Sequence, residues 1–224
     1  MNEFSESFFV ECNFTRAEIF KNRYPSENNT SNLRFKHRAW KLLSLVKTIL
    51  DGISVKFWLS SGTCLGYFRE CDFIPYSSDV DIGIFADDYN DNIISEMIAH
   101  GFIWKHWFGL RNDSLELSFV DKNGLKLDIF FFYEEGNTFW NGGTQARTGM
   151  KFKYIFPKFK LCWTLFQYLK VRIPCNTEQY IIANYGPNWF TQVRHWDWKS
   201  SPFNVVQNGK WSKEELMYAN RISP

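Results

Sequence analysis

The stretch FWLSSGTCLGYFRECDFIPYSSDVDIGIF, residues 57–85, decides how this chain is read. Its opening, KFWLS at residues 56–60, predicts a short buried strand, and DVDIGIFA at 79–86 predicts a second. Side chains at i and i+2 of a strand point to one face, so Asp79 and Asp81 project together, their Cα atoms about 6.6 Å apart. The SSGT segment, Ser60 to Thr63, reads as a turn after the first strand. Glycine there lets backbone N–H groups approach phosphate oxygens closely, and Ser61 and Thr63 add hydroxyl donors. A third signal comes later. Asp128 sits inside LKLDIFFFY, residues 125–133, flanked by Leu127, Ile129 and three phenylalanines. An ionised carboxylate in such surroundings is costly unless it is paired or bound to a metal. Converging carboxylates suit one or two Mg²⁺ or Mn²⁺ ions, hard cations that prefer oxygen and commonly sit on substrate phosphates. A D-x-D alone is more often a solvated strand edge or a helix cap. The SGT turn before it and the buried Asp after it shift the balance toward a site.

Outward from this stretch, the pattern predicts an α+β domain. Asn32 is placed to cap a helix running to Asp51, with Ala39, Leu42, Leu43, Val46, Ile49 and Leu50 on one face and Gly52 as its stop. A helix is expected from Asp88 to His100, with Ile93, Ile94, Met97 and Ile98 inward and Gly101 at its end. FIWKHWF, SLELSFV and LKLDIFFFY read as three further strands, the last two joined by a DKNG hairpin loop. A Gly-rich loop, WNGGTQARTG, precedes apolar stretches around Tyr154 and Cys162–Val171, and a last helix runs from Asn176 or Thr177 to Tyr185-Gly186. Residues 1–32 read as a polar extension, with PSENNTSN as an exposed linker; 33–210 as the mixed-sheet domain flanked by helices; and 211–224 as a tail.

The 26 Lys+Arg against 24 Asp+Glu leave a net charge of +2, which argues against a nucleic-acid partner gripped by charge. Phe, Trp and Tyr make up 19% of the chain, which implies a very aromatic core or rings offered to a flat-faced ligand. From Gly136 to Thr177 there is no acid, whereas Arg147, Lys151, Lys153, Lys158, Lys160, Lys170 and Arg172 fall there. That is either a positive field for a diphosphate or a solvated basic face. Tyr185, Gly186 and Trp189 are placed either to contact a ligand or to end a helix and cover the core. The five cysteines form no C-x-x-C pair and no zinc-like cluster. Buried thiols and one or two disulfides, for example Cys162 with Cys175, both stay open. Glycosylation triplets start at Asn13, Asn28, Asn29 and Asn112. No segment reaches the roughly 18 consecutive apolar residues of a membrane helix. The first dozen residues hold Glu3 and Glu6 and no basic residue, so they do not read as a signal peptide. A soluble chain, or a piece without its own targeting segment, is expected.

Several motifs in order, namely residues 57–85, DSLELSF, KLDIFFFYEE, WNGGTQA, KFKYIFPKFKLCW, ANYG and WDWK, resemble the fukutin and LicD-like family of the nucleotidyltransferase-fold superfamily. The likeness runs from about Trp58 to Gly209. It implies a nucleotidyltransferase-like mixed sheet and a transferase that moves ribitol 5-phosphate from CDP-ribitol to the O-mannosyl glycan of an α-dystroglycan-like acceptor. It also implies the Golgi lumen, and related transferases as partners. Carried over by position, Asp79, Asp81 and Asp128 are the catalytic, metal-holding residues. Ser61, Gly62, Thr63, Arg69, Asn141, Gly142, Lys153 and Lys158 are the candidates for nucleotide and phosphate contacts. Gly83 stands where a branch of the family has a third acid, which leaves the number of ions open. The zinc-binding cysteines of that branch have no evident counterpart, and the amino-terminal anchor and stem expected of the family are not in these residues. Two other readings stand beside this one: a phosphocholine-type transferase using another CDP-activated donor, and a catalytically silent lumenal module that binds glycan or a partner.

Overall fold

A computed structural model describes residues 8–26 and 30–222. In chain order the elements are α1 (Phe14–Arg23), α2 (Thr30–Gly52), β1 (Trp58–Leu59), α3 (Ser61–Glu70), β2 (Asp79–Phe85), α4 (Ile93–Ala99), β3 (Ile103–Leu110), β4 (Asp113–Val120), β5 (Lys126–Glu135), β6 (Thr138–Gln145), β7 (Met150–Pro157), β8 (Leu161–Phe166), β9 (Leu169–Pro174), α5 (Thr177–Tyr185), β10 (Val205–Lys210), α6 (Lys213–Ala219) and β11 (Asn220–Ile222).

The strands form one mixed sheet of eleven, in the order β10-β7-β6-β5-β2-β1-β9-β8, with β4, β3 and β11 branching from β5. β2 runs parallel to β5, and β1 parallel to β9; the other pairings are antiparallel. The branch has a simple geometry. One edge of β5 pairs with β4 as far as Phe130 and is handed to β6 from Phe132 onward. The sheet therefore splays, and a hollow opens on the face shared by Asp81, Asp128 and Phe130. On β2 the alternate residues Val80, Ile82 and Ile84 are fully buried, and α2 packs against this strand and α4. α2 buries the six apolar residues its 3.6-residue periodicity marks.

Much of the aromatic content is core. Trp58 packs on Phe85, Phe132 and Phe159, and Tyr180 of α5 stacks on Phe156 at 4.5 Å. Two disulfides are present, Cys162–Cys175 and Cys12–Cys71, and Cys64 is a buried free thiol. Of the expected linker, residues 27–29 lie outside the described residues, and Thr30 already begins α2. The amino-terminal segment packs closely: Ala17 and Phe20 are buried, and Val10 N–H donates to the Trp163 carbonyl at 2.8 Å. The carboxy-terminal residues add α6, opened by a Ser212–Glu215 capping box, and β11 on β3.

Four local expectations are corrected. SGTCLG is the first turns of α3, not a free turn. WNGG lies inside β6 and is not a loop; its glycines are there because neighbours approach closely, Gly143 with a Cβ position 2.9 Å from the Trp198 ring. The helix expected from Asp88 begins at Ile93, after a 3-10 turn at Ala86–Asp88. Ile98 on it is exposed, because a helix this short turns only one narrow stripe, Ile93 and Met97, inward.

Candidate active site

Parallel pairing of β2 with β5 sets Asp81 directly beside Asp128. The same strand alternation turns Asp79 to that face, and one carboxylate oxygen from each of the three lies within 4.8 Å of the others. Each acid is held differently. Ser77 Oγ donates to Asp79 Oδ1 at 2.9 Å. The N–H of Gly62, in the first turn of α3, donates to Asp81 Oδ2 at 2.9 Å, and Asp81 N–H donates to Thr63 Oγ1 at 2.8 Å. Lys126 Nζ donates to Asp128 Oδ2 at 2.7 Å, whereas Asp128 Oδ1 is buried with no hydrogen-bond partner. Burial pushes the Asp81 carboxyl well above the ordinary range, and the neighbouring charges of Asp79 and Asp128 add to it. Burial, then Glu116, lifts Asp128 to about 6. Such a cluster is short of positive charge. An all-oxygen donor set with an orphaned buried oxygen fits a hard divalent cation.

The acids floor a cleft of ≈ 590 Å³. One wall is aromatic: Trp196 lies 4.8 Å from Tyr185, and the Tyr154 hydroxyl donates to the Trp198 carbonyl at 2.9 Å. Asn141 on β6 and Asn184 on α5 line the cleft, each with a buried side-chain oxygen that has no partner. Arg194 also lines it and makes no ion pair among the described residues.

Not every expected residue comes to this cleft. Ser61, Gly62, Asn141 and Gly142 border it. Thr63 is buried behind Asp81 and positions it. Arg69 touches the cleft, but its guanidinium is engaged by Glu70 at 2.6 Å, the Trp189 carbonyl and the Tyr76 hydroxyl, so it braces the wall. Lys153 and Lys158 do not line the cleft. Lys153 pairs with Glu135 at 2.5 Å and lies over Trp140, and Lys158 pairs with Glu134 at 2.5 Å. On β7 it is Tyr154 and Phe156 that face the cleft, so Lys153, next to Tyr154 and out of step with both, points away. Lys151 likewise pairs with Asp113, while Lys170 and Arg172 lie over the Trp163 ring. Lys126, His106, Glu116 and Arg194 were missed. The alternation of Ser114, Glu116 and Ser118 with buried Leu115, Leu117 and Phe119 carried a signal for Glu116; nothing periodic surrounds Arg194.

A mixed sheet with helices packed on it and three carboxylates gathered on one face defines a nucleotidyltransferase-type domain. The family described as LicD/FKTN/FKRP, nucleotidyltransferase domain, matches residues 54–176, and the chain belongs to it. The chain is 54% identical over 215 residues to Ribitol-5-phosphate transferase FKTN of Mus musculus and 52% identical to that of Homo sapiens, covering 96% of this chain and 47% of each relative. The chain thus spans about half the length of these relatives. Among solved structures, the lincomycin-bound lincosamide antibiotic adenylyltransferase LnuA superposes with a TM-score of 0.40 at 16% identity, over 62% of this chain and 82% of that one, a likeness too loose to add to the topology itself. Among the described residues, no helix is long and apolar enough to cross a membrane.

Proposed function

We propose that this chain is the catalytic domain of a metal-dependent transferase that moves ribitol 5-phosphate from CDP-ribitol to the O-mannosyl glycan of an α-dystroglycan-type acceptor. The observation that carries this reading is the convergence of Asp79, Asp81 and Asp128 beside a cleft large enough for a nucleotide donor. A Mg²⁺ or Mn²⁺ ion bound there supplies neutralisation of charge on the donor diphosphate. The names of the FKTN relatives supply the transferred group, ribitol 5-phosphate.

The chain's own residues have separable tasks. Asp79, Asp81 and Asp128 hold the ion, Gly62 and Thr63 fix the Asp81 carboxylate, and Ser77 fixes Asp79. Arg194, Lys126 and the Ser61 hydroxyl bind phosphate oxygens. The aromatic wall of Tyr185, Trp196 and Trp198 holds the flat base and excludes water. The open oxygens of Asn141 and Asn184 accept hydrogen bonds from a polyol, which favours an alditol over the hydroxyl-poor choline group. An acceptor hydroxyl attacks the phosphorus bearing ribitol. The new P–O bond forms as the anhydride bond to CMP breaks, and the hydroxyl proton passes to a carboxylate of the cluster.

Residues 33–210 form the catalytic unit in this reading, with the flanking segments buttressing it. Two disulfides suit an oxidising compartment, in keeping with a Golgi lumenal site of action. The test is CMP release from a panel of CDP donors. CDP-ribitol should be turned over in preference to CDP-choline, and Asp79→Asn or Asp81→Asn should cut kcat by about 100-fold or more with the fold intact. Near wild-type turnover by folded variants contradicts the reading. Preference for CDP-choline replaces the donor, and no CMP from any donor leaves a binding module.

A further inference from the structure

The polar row on the open face of the sheet continues past Asp128. Ser118 on β4 pairs with Asp128 on one side and with His106 of β3 on the other. Glu116 pairs with Phe130 and Phe108 one step along. His106 and Glu116 therefore share the face of Asp128. Nε2 of His106 lies 3.2 Å from Oε1 of Glu116. Atoms of His106, Glu116 and Asp128, one from each, all fall within 4.8 Å of one another.

Three features suit a ligand set better than a passive contact. Ligand atoms about 2.0–2.2 Å from a first-row divalent ion sit roughly 3.0–3.5 Å apart at angles between square and tetrahedral; the His106–Glu116 separation of 3.2 Å is already in that range. The imidazole is stacked on Phe108 with centroids 4.0 Å apart and planes within 14°, so its ring plane is set by packing. Asp128 is 4% exposed and its Oδ1 lacks any partner, while Lys126 occupies Oδ2. One oxygen of the shared carboxylate is thus open to an ion.

We propose that His106, Glu116 and Asp128 form a second divalent-cation site, separate from the Asp79/Asp81/Asp128 site and joined to it through Asp128. The two differ in chemistry. The first is all oxygen and tolerates Mg²⁺. The second contains an imidazole nitrogen and selects Mn²⁺ or Zn²⁺ over Mg²⁺. Lys126, whose side chain is 41% exposed, can leave Asp128 when a metal takes its place, which frees its ammonium for a phosphate oxygen.

The test counts ions on the folded chain without any donor. Equilibrium dialysis against Mn²⁺ at neutral pH should give two ions per chain, and pulsed EPR should show ¹⁴N coupling to one of them. His106→Gln should bind one ion, lose the nitrogen coupling, and retain its circular dichroism and melting transition. Glu116→Gln should weaken the same ion at least tenfold. Asp79→Asn should lose the other ion and keep the nitrogen coupling. Wild-type stoichiometry in folded His106→Gln, or no ¹⁴N coupling in the wild-type chain, overturns the proposal and leaves His106–Glu116 as a hydrogen bond only. These readouts need no turnover, so failure of the transferase reading in the CMP assay does not decide them.

Discussion

Gly83 shows how one residue limits the acidic cluster. It is the next position on the face of Asp79 and Asp81, where a branch of the family is expected to carry another acid. A Cβ built on Gly83 would lie 2.6 Å from Cζ2 of Trp58, which is fully buried. The indole occupies the volume a third β2 carboxylate would need, so the third acid comes from β5. Gly83→Asp should therefore add no ion and should cost about 1–3 kcal/mol through overpacking. Thermal denaturation with Mn²⁺ dialysis checks this. An unchanged melting point with one more bound ion would show that the space exists. The acidic positions themselves were legible in the sequence, because a D-x-D at strand spacing and an Asp among phenylalanines are local patterns. Gly62 was legible only as a glycine near a phosphate site. That its N–H is aimed at Asp81 depends on a contact across 19 residues, which no local pattern records.

At the scale of elements, strand alternation accounts for what was readable. The cores of β2, β4 and β5 follow the period-two pattern and were readable. α3 was not, because Ser60, Ser61, Gly62 and Gly66 are weak helix formers, and Ser60 makes no side-chain cap. Gly66 is required there by tertiary packing, since a Cβ would meet the Asp72 carbonyl at 2.6 Å. The basic stretch, open between a phosphate field and a solvated face, could not be placed for a different reason. Charge counted along a sequence does not say which face of a strand it occupies, and Lys151, Lys153 and Lys158 pair with Asp113, Glu135 and Glu134. Lys153→Ala and Lys158→Ala should thus change kcat/KM for the CDP donor less than about twofold, since neither side chain lines the cleft and substitutions away from a site have small effects. Arg194→Ala should lower it about tenfold or more, as a charged hydrogen bond to phosphate is lost. Initial-rate kinetics on the three variants decide between the two surfaces, and the opposite ranking would return the phosphate to Lys153 and Lys158.

For the whole molecule, the fold brings like charges together before any cation is added. Asp128 is raised to about 6 and Asp81 is raised too, both first by burial. A carboxyl whose pKa is higher folded than unfolded makes its full contribution to stability below the unfolded value, about 4. That contribution is lost as pH rises through the folded value. With chelator present, the wild-type chain should therefore lose stability relative to Asp128→Asn as pH climbs from about 4 through 6. Divalent cation should reverse the loss near neutrality and do little at pH 4, where protons compete for the carboxylates. Melting curves across pH, with EDTA or Mn²⁺, test both halves; a wild-type minus variant difference that is flat or rises with pH contradicts them. The fold class and the acidic cluster were legible at this scale, because hydrophobic periodicity and buried acids are statements about sequence. The aromatic wall was less so, since Trp196 and Trp198 reach the cleft on a segment with no regular period.

The most direct measurement is anomalous diffraction from crystals soaked with Mn²⁺ and CDP. The account predicts a manganese peak within coordination distance of Asp79, Asp81 and Asp128, with the CDP diphosphate against it and the cytosine on the aromatic wall. Nucleotide bound with no ion at these carboxylates, or an ion that engages Asp79 and Asp81 while Asp128 turns away from it, would contradict the central claim.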